Sequence, residues 1–364
     1  MNPTITTMAG STIRALTAKR RPTSLNLGIG EPTLMPNVAN FERATEWVAA
    51  HGCRYSPQIG DLAFRATVAA HYRFPGLDRA ENVCVTTGSQ EAVYLALRTL
   101  LDPHEDELLI VEPAFTVYAK IAQVEGIPHR RLEFAPTDPA PFDPERILAA
   151  LGPRTRMILV CSPGNPTGRA FDSATARALA EGLLARPGPP LYVLHDEIYR
   201  ELRYVDDVAS FAEFYPYTVA VNSLSKSNAL TGLRIGWLIA PAETMPHLAK
   251  LHGWTTSSPS TFAQRVAHEV FAADELGAHR GWYAAQREGV LAEARALGLT
   301  HVVPEGAFYL CVRFGAPDES GLAFAEALLD ERDVVAIPAE IFGATMRGWL
   351  RTSFVAPLDE VREG

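Results

Sequence analysis

The chain has 364 residues, 47% apolar and 21% charged, the balance of a globular protein with a sizeable core. That composition excludes a disordered chain and leaves room for one large and one smaller domain. With 33 basic and 42 acidic residues the net charge is −9, a poor match for nucleic acid or an anionic membrane, so neither is expected as a partner.

No run approaches the ~18 consecutive apolar residues of a membrane span. The start carries no signal-peptide pattern. Cys53, Cys84, Cys161 and Cys311 are scattered without a CxxC pair, which points to thiols in a reducing cytoplasm and to no metal site.

In chain order, residues 1–24 are polar and β-branched and read as a loose arm. The segment around 25–32 (LNLGIGEP) ends in a turn. From about 80 to 240, short apolar runs alternate with helical patterns. Residues 83–86, 108–111, 157–161, 191–195 and 219–221 read as buried strands, and 90–101 and 173–184 as helices. Such alternation predicts an α/β fold with a mostly parallel sheet covered on both faces. A long helical pattern over 262–297 follows. Strands at 306–314 and 348–355 then flank a helix at 321–331 and a short strand at 334–337. The division expected is an arm over 1–24, a large α/β domain over 41–285, and a small α+β domain from 25–40 and 286–364.

Ligands in parallel sheets sit beyond the carboxyl ends of the strands, where four unusual segments fall. The first is TGSQEA: Gly88, Ser89 and Gln90 open a helix after a strand, and the unbonded N–H groups there can seat a phosphate. An ordinary Ser cap would look the same. The second is SPGNPTG, a rigid turn that holds Asn165 at the site mouth and offers Asn165–Pro166 as a cis bond. The third is LYVLHDEIY. It delivers Asp196 to a packed cleft where a carboxylate needs a cation, with Tyr199 three residues on; His195 reads as a packed neighbour. The fourth is NSLSKSNALTGLR. Lys226 follows a buried strand directly, and a desolvated lysine is a nucleophilic amine suited to Schiff-base chemistry. Ser223 and Ser225 add hydroxyls, and Arg234 can fork onto a phosphate. A phosphate seat, an acid for a cationic ring nitrogen and a Schiff-base lysine are together what pyridoxal 5′-phosphate (PLP) demands of a protein.

With SxSK, an Arg eight residues on, DEIY and NPTG in this order, the chain resembles the fold-type I, PLP-dependent aminotransferases of class I/II over about residues 25–354. The resemblance implies that Lys226 binds the cofactor and moves the proton between Cα and C4′. It implies that Asp196 pairs with the pyridinium nitrogen, that Tyr199 and Asn165 bond the ring's phenolic oxygen, and that Phe115 stacks on the ring. Gly88, Ser89, Gln90, Ser223, Ser225 and Arg234 would hold the phosphate. Arg351 would take the substrate α-carboxylate, with the Gly30 backbone and Asn165 beside it. Tyr55 matches a tyrosine that reaches the neighbouring subunit's phosphate, which implies a homodimer; read from the sequence alone, it could equally be a packed core aromatic.

Two departures stand out. The stretch Pro338–Gly343 (PAEIFG) lacks the family's usual second-position glycine. The closing helix is expected to be abbreviated or missing. For the substrate, relatives specific for dicarboxylates supply a second cation, either where this chain has Gln90 or in the stretch resembling 252–260. Here that stretch has no Arg or Lys, and Trp254 sits in it. The expectation is therefore an L-amino acid other than a simple dicarboxylate, with a 2-oxo acid as acceptor. The rival within the same fold is β-elimination, cyclisation or oxidation of an amino acid.

Overall fold

The computed structural model describes residues 1–316 and 319–363. Strand β1 (Leu25–Asn26) stands apart from the seven that follow: β2 (Val83–Thr86), β3 (Glu107–Glu112), β4 (His129–Glu133), β5 (Thr155–Cys161), β6 (Tyr192–Asp196), β7 (Thr218–Ser223) and β8 (Gly236–Ile239). These seven make one sheet in the order β2-β8-β7-β6-β5-β3-β4. All neighbours run parallel except β8, which is antiparallel to both β2 and β7.

Alternation along the strands loads both faces. Met157 and Leu159 join Leu194, Val219 and the helix Ser89–Leu100 in one apolar cluster, while Ile158 and Val160 join Val193 and the helix Ser173–Leu184 in another. The sheet is thus buried on both sides, as its apolar runs predict. Strand β4 was not expected from the sequence. It is an edge strand whose Arg130 and Arg131 are exposed, so it lacks the apolar run that marked its neighbours.

Strands β9 (His301–Val302), β10 (Tyr309–Arg313), β11 (Val334–Val335), β12 (Ile337–Pro338) and β13 (Trp349–Ser353) complete the set. A second, antiparallel sheet has the order β12-β13-β10-β9, and β1 pairs in parallel with β11. The single strand expected at 334–337 is therefore two short ones in different sheets. The segment 25–32 is tied to this smaller unit through Leu25↔Val334.

Two further expectations are corrected. The long helical pattern is two helices, Thr261–Ala272 and Arg280–Ala296, separated by a turn in which Asp274 and Gly277 take positive φ. The arm is not loose. It forms the helices Pro3–Thr7 and Thr12–Ala18, capped by the Asn2 and Ser11 side chains, and Leu16 is buried in the core of the smaller unit. The PAEIFG stretch, lacking the usual glycine, forms a 3₁₀ turn over Ala339–Phe342, with Ala339 buried and Gly343 left-handed. The last helix, Leu358–Glu363, is short as expected, and Leu358 packs over Gly289 of the helix Arg280–Ala296. Among the described residues, no helix is long and apolar enough to cross a membrane.

Candidate active site

The carboxyl ends of β2, β3, β5, β6 and β7 bring the candidate residues to one rim, and β13 faces them from the smaller sheet. Lys226 lies one turn past β7, half-buried, and its Nζ donates to the Gly30 carbonyl at 2.6 Å. Burial, together with the positive Arg351, pulls its ammonium down to about 8. Asp196 ends β6 and is buried. Its Oδ2 accepts the Tyr118 hydroxyl at 2.7 Å and its Oδ1 accepts the Ile198 N–H at 3.1 Å. Burial pushes this carboxyl up in spite of both bonds. A carboxylate so placed lacks a cation, and a protonated ring nitrogen is the partner that would restore its charge.

Asn165 follows β5 in a turn with cis bonds before Pro163 and Pro166. Its Oδ1 accepts from Arg351 Nη1 at 3.0 Å, so the amide nitrogen is the end left to donate. Arg351 is buried on β13. Nη2 donates to the Gly28 carbonyl, the guanidinium lies 4.4 Å from the centre of the Tyr309 ring, and Nε is buried without a partner. An orphaned buried donor on a charged fork is the mark of a site built for an anion. Tyr199 is buried, with its hydroxyl 2.8 Å from that of Tyr309. Phe115 is half-buried and packs edge-on to Tyr118.

The residues expected to seat a phosphate lie at the start of one helix and beside it. Gly88 caps the helix Ser89–Leu100 at φ +81, and a Cβ on it would lie 2.5 Å from Arg234 Nη2, so the arginine rests against the bare backbone. Arg234 itself has a left-handed φ and donates Nη1 to the Thr231 carbonyl at 2.8 Å. Ser89 is half-buried and Gln90 exposed. Ser223 does double duty: its Oγ caps the Ser225 N–H at 3.1 Å, which leaves the hydroxyl hydrogen to donate. Ser225 is buried beside it.

Tyr55 is not the packed core aromatic that the sequence alone allowed. It is 89% exposed, as is Trp254 at 87%. His195 is a packed neighbour, as expected, with Nε2 at 3.2 Å from the Ser162 carbonyl and Nδ1 at 2.9 Å from Glu197.

Sequence reasoning passed over three residues that the structure places against the candidates. Tyr118 sits three residues past Phe115, and Tyr309 sits inside an apolar run read simply as a strand. Glu91, one turn into the phosphate-seat helix, accepts the Thr87 N–H at 2.5 Å and lies 3.4 Å from His252. Burial works against its charge, yet the bonds from His252, Thr256 and Thr87 hold its carboxyl down to about 2.

Similarity to known proteins agrees with this geometry. An aspartate aminotransferase of Pyrococcus horikoshii is 30% identical, over 93% of this chain and 88% of its own. An arginine–pyruvate transaminase of Pseudomonas aeruginosa is 31% identical, over 93% of this chain and 87% of its own. The crystal structure of Thermus thermophilus aspartate aminotransferase with maleate superposes with a TM-score of 0.89 at 29% identity, covering 100% of this chain and 97% of that one. The family model for aminotransferase class I and II matches residues 22–363, nearly the whole chain. This protein is therefore a member of the class I and II aminotransferases, with their α/β fold.

Proposed function

We propose that this aminotransferase uses PLP bound at Lys226 to move the amino group of an L-amino acid with an apolar or aromatic side chain to a 2-oxo acid. The observation that carries the cofactor assignment is the pairing of a buried, cation-seeking Asp196 with a lysine drawn down to about 8 across one cleft. The Gly88–Arg234 cradle supports a phosphate between them. PLP supplies an aldehyde carbon to take the amino group and a ring to accept the electrons released at Cα.

The protein's own groups do the rest. Arg351 orients the substrate through its carboxylate, with the unpartnered Nε and the Asn165-bound Nη1 fixing the fork. Lys226 is the base that takes and returns the proton at Cα, and its Nζ already lies against Gly30 beside the carboxylate site. Asp196, held by Tyr118 and Ile198, keeps the ring nitrogen protonated.

The substrate class rests on the apolar cluster around Phe342 and on two neutral positions. Ile13, Phe115 and Ile341 pack half-buried against the cluster that contains Phe342, and Phe342 lies 5.1 Å from the guanidinium. Gln90 is neutral, and the exposed Trp254 lies in a stretch without a cation. Neither position offers a side-chain cation to hold a second carboxylate. The exposed Tyr55 and Trp254 support a homodimer in which Tyr55 reaches the neighbouring phosphate.

The test is absorbance of the purified protein before and after single L-amino acids. A yellow band that bleaches to the amine form of the cofactor, with kcat/KM for phenylalanine above that for aspartate, is the expected result. No band after adding PLP would remove the cofactor. Bleaching only with aspartate would remove the substrate class.

A further inference from the structure

We propose that Tyr309 is a positioning residue that joins the two halves of this site, orienting the Tyr199 phenol from one end and the Arg351 guanidinium from the other. The inference rests on the PLP reading above and adds to it a residue without a role in that reading.

Tyr309 opens β10, pairs with Ser353 of β13 two residues from Arg351, and is buried. Its hydroxyl is 2.8 Å from that of Tyr199, and its ring face lies 4.4 Å from the Arg351 guanidinium carbon. The third contact is Gly30, where any Cβ would collide with the Tyr309 hydroxyl, so the backbone that faces Lys226 is moulded to this one phenol. One side chain therefore touches the cofactor-facing phenol, the carboxylate-binding cation and the backbone bonded to the lysine.

The two hydroxyls lie close enough to share one hydrogen, which either can give. In the PLP reading the Tyr199 hydrogen goes to the cofactor's phenolic oxygen, which leaves the Tyr199 oxygen to accept and Tyr309 to donate to it. The ring of Tyr309 meanwhile backs the guanidinium as a flat, apolar support that leaves the edge of the fork free for a carboxylate.

These two roles separate by mutation. Tyr309→Phe keeps the support and removes the hydroxyl. With less donation reaching the ring's phenolic oxygen, more negative charge stays beside the Lys226 nitrogen, which holds its proton to higher pH. The pH midpoint of the bound cofactor's visible absorbance should rise by roughly 0.5–1 unit. Binding of 3-phenylpropanoate, a carboxylate without an amino group, should change by less than about threefold, because the cation–π support remains. Tyr309→Leu removes both, and should weaken 3-phenylpropanoate by about tenfold in addition.

A Tyr309→Phe protein whose absorbance midpoint matches the wild type would overturn the inference. So would one that loses 3-phenylpropanoate as severely as the leucine variant. If the wild-type protein itself has no visible band with PLP, the cofactor reading fails and this inference falls with it, which separates that failure from the other two. The phenylalanine variant preserves the buried ring, so the decisive comparison survives even if the leucine variant does not fold.

Discussion

In the proposed reaction Lys226 meets PLP as a free amine, because burial and the nearby Arg351 make its charge expensive. An ordinary lysine ammonium, near 10.5, would be almost wholly protonated and unreactive at neutral pH; with the value pulled down to about 8, a substantial fraction is free amine. The rate at which the cofactor-free protein takes up PLP should therefore climb with pH through a midpoint near 8 and level off above it. Stopped-flow absorbance between pH 6.5 and 9.5 measures this, and a rate still climbing tenfold per unit at pH 9.5 would contradict it. Arg351→Ala removes a charge-assisted fork and should raise the amino-acid KM by roughly 100-fold, while loss of its positive charge should move the pH midpoint of cofactor uptake upward. Residues of this kind were legible in the sequence because their chemistry is odd for their surroundings: a lysine directly after a buried strand, an aspartate at a strand end. Tyr118 and Tyr309 were not legible, because a tyrosine in an apolar run looks like packing until its hydroxyl is seen to have a charged or phenolic partner.

At the level of elements, the proposed phosphate seat depends on one glycine. Gly88→Ala would strain a left-handed backbone and press on Arg234, so PLP affinity of the cofactor-free protein should fall by about tenfold or more. Equilibrium titration of the absorbance measures it. Strand β3 ends in a different tension. Glu112 is buried with Oε2 unpartnered and Arg131 no nearer than 3.5 Å; burial pushes its carboxyl up to about 7. Because the folded value lies above the ordinary one near 4.5, stability is full below pH 4.5 and is lost as pH rises toward 7, where the folded carboxyl ionises. Glu112→Gln should therefore leave Tm unchanged at pH 4.5 and raise it by several degrees at pH 8, a gain on the order of 2–3 kcal/mol. Equal Tm values at pH 8 would contradict this. Most strands buried on both faces were readable, but the buried β8 was not, since its four residues follow closely on a motif read for its chemistry; the helix Ser173–Leu184 has the bounds its pattern gave. The edge strand β4 escaped because an edge needs no apolar run. The split between Thr261–Ala272 and Arg280–Ala296 did leave a signal, Gly277, which a helical period alone overrides.

For the whole molecule, the exposed Tyr55 and Trp254 predict a species of twice the 39.6 kDa chain mass in sedimentation at micromolar concentration. Tyr55→Phe should preserve that species while weakening PLP by a few-fold, the loss of one hydrogen bond to a phosphate. A monomer that binds PLP as tightly as any variant would refute both. The large sheet was readable as a unit because its strands follow one another closely. The smaller unit was only partly so, since β1 and β11 are two residues each and owe their existence to partners far along the chain. That separation has a consequence for how the protein is made. All seven strands of the large sheet have been synthesised once Ile239 has left the ribosome, and Lys226 is already among them. Leu25 must wait for Val334, and the carbonyl of Gly28 waits for Arg351. A nascent chain thus holds Lys226 for more than a hundred codons before it owns Arg351, the guanidinium proposed to tell an amino acid from any other amine.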